Sequence, residues 1–291
     1  QLTGDKQFRR MMAFSSSVII IISIMLLFFN TFEELLYLPL ITPEEWCTTQ
    51  PCITMRILSG EFILAKPTST VLVYALGLIT ILMGVHLFKM KDKENSLKWW
   101  GTSLIFWGLG ALFAGTSYQA LSYPLKCAGR TYCSWTSWWE IVYLMLSMAS
   151  VYFMVFAQMQ TAESEKVRLA MKVYALSTFS GYMMIILLGA LIPVRFLLSF
   201  ELLVIFIAPT FFWFFLYNLS QYRQNKDELA LILVITWISL ALIIIVYYSY
   251  YLMGITEWLW ERGIWFSAND VLHVGLILWM TYIGLFVPKN V

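Results

Sequence analysis

The chain has 291 residues, of which 60% are hydrophobic and only 12% charged, with a mean hydropathy of +0.74 and a net charge of +2. A water-soluble fold cannot bury that much apolar surface. The sequence carries no basic run, nucleic-acid module or phosphate loop, so nucleic-acid partners and self-contained nucleotide-driven work are set aside.

A helix needs about 20 apolar residues to cross a bilayer core, and inside lipid only helices or closed barrels satisfy their own backbone. The apolar stretches here are continuous rather than alternating. They predict an all-α, polytopic transmembrane bundle of eight spans, near 12–30, 69–89, 99–119, 136–159, 172–191, 196–217, 229–252 and 268–287. The chain divides accordingly into an N-terminal tail and first span (1–30), an extracytoplasmic loop (31–68) and a seven-helix core (69–291). The first span has a basic lead like a signal peptide, but its apolar run is longer than an h-region and no small-x-small site follows Asn30, so it reads as a retained anchor. The break at Ile192-Pro193-Val194-Arg195 separates the fifth span from the sixth.

Lysine and arginine alternate in density from loop to loop. One set of loops carries thirteen, from Lys6, Arg9 and Arg10 to Lys289, and the other carries six: Arg56, Lys66, Lys126, Arg130, Arg195 and Arg262. The richer side is cytoplasmic by the positive-inside rule, which places both termini there. Its loops are about ten residues each, too short for a cytoplasmic domain. Trp46, Trp135, Trp138, Trp139, Trp258, Trp260 and Trp265 fall at the outer interface as an aromatic belt, and Trp99 and Trp100 at the inner one. The outer loop, with Leu35, Leu36, Tyr37, Leu38 and Leu40, is expected to fold back over the bundle. All four cysteines (Cys47, Cys52, Cys127 and Cys133) lie on the outer side, where an even count predicts disulfides. Local pairs and pairs tying the two loops together are both open.

Ionisable groups inside spans are costly and are the default functional candidates. Glu140, Glu201, Asp270 and His273 all fall in the outer third of the bilayer, level with Ser117, Tyr118 and Gln119 at the end of the third span. Four helices thus bring polar side chains to one depth. Asn269 and His273 are four apart and share a helical face, so they can meet one ion or water together, with Asp270 orienting the imidazole or taking a proton. Carboxylates and a neutral imidazole suit zinc. The bland alternative is a set of hydrogen bonds that locks helix packing, with Glu140 and Glu201 interfacial or paired to Arg130 or Arg195. His86 lies at the inner end of its span and reads as interfacial.

The stretch Phe266-Ser267-Ala268-Asn269-Asp270-Val271-Leu272-His273-Val274 resembles the final-helix motif of the CREST membrane hydrolases, a group that includes alkaline ceramidases and adiponectin-receptor-like proteins. The resemblance implies a seven-helix core over 69–287. It also implies a zinc site made of a His-x-x-x-His pair in the last helix and a third histidine at the end of the second core helix, assisted by a serine and an aspartate. His273 stands at the second histidine position, but Asn269 stands at the first and Tyr118 or Gln119 at the third. The reading favoured on these grounds is a non-catalytic membrane protein of CREST-like fold: a receptor, a sensor or a subunit of a membrane assembly, with the bilayer, other subunits or a lipid ligand as partners. The alternative is an intramembrane hydrolase of lipid amides or esters. There His273 would hold zinc, Asp270 would orient that ligand or act as base, and Ser117 or Tyr118 would steady the oxyanion. A transporter is disfavoured because no interrupted helices or inverted repeats are evident.

Overall fold

The computed structural model describes residues 41–57, 60–90, 95–162, 164–191 and 194–290. The first predicted span and residues 31–40 of the outer loop lie outside them. Beyond the outer loop the chain is helical: α2 (Pro67–Lys89), α3 (Asn95–Ala114), α5 (Trp138–Met159), α6 (Glu165–Leu191), α7 (Phe200–Asn225), α8 (Glu228–Leu252) and α10 (Ala268–Asn290). These match the seven core spans read from hydropathy. Six of them, all but α3, are long and apolar enough to cross a membrane by length and composition, as expected of a multi-pass membrane protein. Short helices α1 (Pro43–Trp46), α4 (Ser122–Lys126) and α9 (Ile255–Trp260) sit in the connections.

The helices run longer than their apolar cores. α6 begins at Glu165 and α7 continues to Asn225, three residues before α8 starts at Glu228. The α7–α8 loop, expected to hold about ten residues, is therefore a tight turn, because polar residues such as Gln221 and Gln224 extend helices as well as apolar ones do. One part of the outer loop is not helical at all. Cys52–Ile57 (β1) and Gly60–Ala65 (β2) form an antiparallel hairpin, with Cys52 opposite Ala65 and Arg56 opposite Glu61. Ile53, Thr54, Ile57, Phe62 and Ile63 are residues that favour strands, and the hairpin corrects the all-α expectation at this point. The hairpin lies over the bundle. Ala65 is fully buried, and the Cys133 N–H donates to Ile41 O at 2.9 Å, tying the two outer loops together. Both disulfides are local, Cys47–Cys52 and Cys127–Cys133, with Cα separations of 5.6 and 4.2 Å.

Neighbouring helices make a ring, α2–α3–α5–α7–α8–α10 and back to α2, with α6 attached outside against α5. In lipid, apolar side chains gain nothing by leaving solvent for one another, so close packing and interhelical hydrogen bonds must hold the ring. Both are present. Gly77 faces Gly108 and Gly84 faces Gly101, seven residues apart on each antiparallel helix, and a Cβ on Gly84 would stand 2.7 Å from Gly101 O. Across α3 and α5, the Ser103 hydroxyl donates to Ser150 O at 2.9 Å and the Ser150 hydroxyl donates to Ser103 O at 2.8 Å. The Trp279 indole N–H donates to Thr236 O at 2.8 Å, joining α10 to α8. Trp100 belongs to this core, only 1% exposed, and is not the interfacial anchor expected of it. Trp99 stacks on Phe153 instead, at 5.7 Å between centroids.

Gly84→Leu should lower the thermal stability of the purified protein by about 1–3 kcal/mol, the usual cost of overpacking a tight contact. Gly181→Ala, where an added Cβ meets nothing within 4 Å, should leave it unchanged or raise it slightly. Thermal unfolding in one detergent, both variants side by side, checks this.

Candidate functional site

The polar residues singled out by depth do gather at one end of the ring, beneath the disulfide-bonded loops. They form two groups with different partners.

The first group surrounds Glu140. The π-helical turn Gly115–Ala120 prolongs α3 and carries Ser117, Tyr118 and Gln119. Wide turns of this kind re-aim side chains that a regular helix would send elsewhere. Ser117 Oγ donates to Glu140 Oε1 at 2.8 Å. That uses its one proton, so the 2.6 Å contact with Ser137 Oγ has Ser137 as donor. Lys126, at the end of α4, makes an ion pair with the same carboxylate, and the two residues are only 5% and 2% exposed. The Lys126 ammonium also lies 4.9 Å from the centre of the Tyr118 ring and 3.5 Å from Trp135 O. Neither Arg130 nor Arg195 is the partner of Glu140. Arg195 lies over the Trp135 ring instead, at 5.7 Å. By sequence Lys126 is a loop charge after the third span, and the short helix that turns it inward gives no apolar signal. A buried pair such as this is weak evidence for net stability, but removing one partner strands the other charge.

The second group surrounds Asp270. Its Oδ2 accepts from the Ser267 N–H at 2.5 Å and from Ser267 Oγ at 2.9 Å, so the carboxylate caps the first turn of α10. The Ala268 N–H finds Thr256 Oγ1 at 3.0 Å, and Ser267 Oγ also meets Ser69 Oγ at 3.3 Å. Asp270 is turned back toward its own helix terminus and makes no hydrogen bond to His273. Asp270 Oδ1, His273 Nδ1 and Gln119 Oε1 are buried with no protein partner among the described residues. Asn269 is half-buried one turn above His273. Lys66 precedes α2 in a left-handed conformation (φ 45°), with its N–H on Pro51 O at 2.8 Å. Burial and the nearby Lys126 charge lower its pKa to about 8, and Asp270 opposes them. Lys66 thereby links the two groups electrostatically.

Glu201 stands in the first turn of α7, exposed, within electrostatic range of Tyr118, Tyr143, Tyr247 and Tyr248. His86 is exposed at the far end of α2.

Inside the ring lies a cavity of about 590 Å³, to which all six ring helices contribute and α6 does not. Its walls are apolar, with Leu76, Trp107, Phe211, Phe215, Trp237 and Leu276 among them. Apart from the indole N–H groups of Trp107 and Trp237, the polar side chains that line it are His273, Tyr143, Ser147, Tyr247 and Tyr248. Among the described residues no Asp, Glu, Lys or Arg lines it. Hydropathy alone misses Tyr143, although it lies three residues after Glu140 and so on the same helical face. The wall is thinnest between α7 and α8. No residue of α8 beyond Leu240 is buried, and the lining residues Ala208, Phe212, Ile238, Ala241 and Leu242 are exposed.

Zinc fits poorly here. One imidazole with an amide neighbour is short of a zinc donor set. Among the described residues no three His, Cys, Asp or Glu side chains converge, and the cysteines are all in disulfides.

The ring and its apolar interior define a multi-pass membrane protein with an internal cavity of ligand size. Residues 68–289 match the model of a family of unknown function, DUF6962, and the chain belongs to that family. No curated protein and no solved structure matches the chain.

Glu140→Gln or Lys126→Met alone should cost about 3–5 kcal/mol, and the apolar pair Lys126→Met/Glu140→Leu should recover most of it. A double-mutant cycle on thermal unfolding measures the coupling. Lys66 should give a second signature. Its folded pKa of about 8 lies below the ordinary 10.5, so the folded state holds fewer protons than the unfolded one between those values and stability rises with pH across that window. The penalty is full below pH 8. The melting midpoint of the wild type should therefore rise between pH 8 and 10 relative to Lys66→Met.

Proposed function

We propose that this protein is a non-catalytic membrane receptor, sensor or assembly subunit that holds an uncharged amphiphile inside its helical ring. The cavity is the observation that carries this reading. Its volume of about 590 Å³ falls within the roughly 300–1,000 Å³ of ordinary ligand sites. Its polarity is graded along one axis. Hydroxyls and one imidazole stand at the end nearest the disulfide-bonded loops, and aromatic and aliphatic side chains fill the depth. A hydrocarbon tail suits the depth and a hydroxyl or carbonyl suits the polar end. A charged head would sit in an apolar chamber without a counter-ion, which is expensive. The thin wall at Ala208 and Ala241 supports entry from the bilayer.

Eight spans with both termini in the cytoplasm remain part of the proposal. The charge bias between loops and the seven core helices support it. A CREST-like origin of the ring is a second reading, supported by the seven-helix arrangement and by His273 facing the cavity. The replaced zinc ligands weigh against hydrolysis in that reading.

A long-chain alcohol with a photoreactive diazirine in its tail, incorporated in vesicles with the full chain, tests the proposal. Crosslinks should concentrate on the cavity-lining segments of α7 and α8, over 203–215 and 237–248, and should fall sharply in Ala208→Trp/Ala241→Trp. Equal labelling of α6, which faces lipid but lines no cavity, would overturn the reading.

A further inference from the structure

A second, smaller cavity lies at the opposite end of the bundle and differs from the first in every respect. Its volume is about 200 Å³, and Thr161, Tyr217, Asn218, Gln221, Asn225 and Asp227 supply its polar wall. It forms where the turn after α5 meets the α7–α8 turn, at the level where an α-helix leaves the hydrocarbon.

The Asn218 amide donates into the protein, and Gln221 and Asn225 each use one N–H along the cavity wall. Asn218 Nδ2 donates to Phe214 O at 2.7 Å and to Gln158 Oε1 at 3.3 Å. Gln221 Nε2 donates to Tyr217 Oη at 3.3 Å, and Asn225 Nδ2 donates to Gln221 Oε1 at 3.1 Å. Gln221 and Asn225 each keep one amide N–H, but among the described lining residues the Asp227 carboxylate carries the one formal charge. Asn225 Oδ1 accepts nothing among the described residues. The Asp227 carboxylate accepts one backbone N–H on each oxygen, from Leu229 at 3.2 Å and Ala230 at 3.3 Å, which leaves about half of its roughly four lone-pair sites. Among the described residues no lysine or arginine lines the cavity. Lys226, the nearest cation in sequence, is folded over the Tyr222 ring at 5.2 Å.

We infer that this cavity binds a primary ammonium group, whose three N–H donors meet the Asp227 carboxylate and the neighbouring amide oxygens. The guest is complementary to the Asp227 carboxylate in charge and to the cavity in size, and charge-assisted bonds of this kind are the stronger ones. Two sources present that chemistry at this depth: the headgroup of an aminoethyl phospholipid in the adjoining leaflet, and a free small amine. A trimethylammonium head has the same charge and no N–H donor, so it serves as the control.

Native mass spectrometry of the full chain, released from vesicles of equal phosphatidylethanolamine and phosphatidylcholine, tests the inference. Bound phosphatidylethanolamine should be enriched over phosphatidylcholine in the wild type, and the enrichment should be lost in Asp227→Asn. That substitution keeps a good helix N-cap while removing the charge, so α8 should stay folded. If free ethanolamine displaces the lipid and raises the melting midpoint of the wild type but not of Asp227→Asn, the ammonium site stands and its guest is the soluble amine. The inference is overturned if neither amine is preferred, or if the preference survives in Asp227→Asn.

Discussion

A carboxylate carried into a low-dielectric layer must be neutralised or paired, and Glu140 is where this bundle meets that requirement. Its partner Lys126 arrives from outside the helix that bears the acid, on a five-residue helix closed off by the Cys127–Cys133 disulfide. The ion pair therefore fixes more than two side chains. It seats the loop between α3 and α5, holds Tyr118 beneath the ammonium, and brings Ser117 of the π-helical turn onto the same carboxylate. Tyr118 in turn packs edge-on against Tyr143 at 6.0 Å, and Tyr143 lines the central cavity. The polar end of the cavity is thus built on a charge that could not stand alone.

The same constraint explains why the two cavities have opposite characters. Midway through the ring the helices are held by reciprocal serine bonds and glycine contacts that commit the Ser103 and Ser150 hydroxyls to the protein itself. The chamber they surround is left apolar, with an uncharged polar fringe. Near the α7–α8 turn the chain can keep an exposed carboxylate, because Asp227 has both water and the α8 N-terminus to stabilise it.

Much of this is legible in the sequence. Hydropathy locates all seven core helices, because roughly 20 apolar residues leave few alternatives in lipid. The depth of Ser117, Glu140, Asp270 and His273 places them at one end. The shared side of the four cysteines predicts disulfides, though not which ones. The features that stay hidden depend on turns and partners rather than on period. Lys126 looks like a loop charge, since nothing in Ser122–Lys126 announces a helix that points inward. Trp100 looks like an anchor beside Trp99, since adjacent residues on a helix face different ways and composition does not say which faces in. Asp270 looks like a partner for His273 at a spacing of three, but a carboxylate in the first turn of a helix is better placed to cap it. The hairpin at 52–65 is obscured by the leucines and prolines before it, which make the whole outer loop look like a tether.

An occupied interior is the central claim. The most direct measurement is an experimental density map of the full chain in lipid nanodiscs. Elongated density is expected within the ring, its narrow body beside Trp107, Phe211 and Trp237 and its head at Tyr143 and His273. A ring collapsed onto itself, or one holding only isolated water-sized features along its apolar walls, would contradict it.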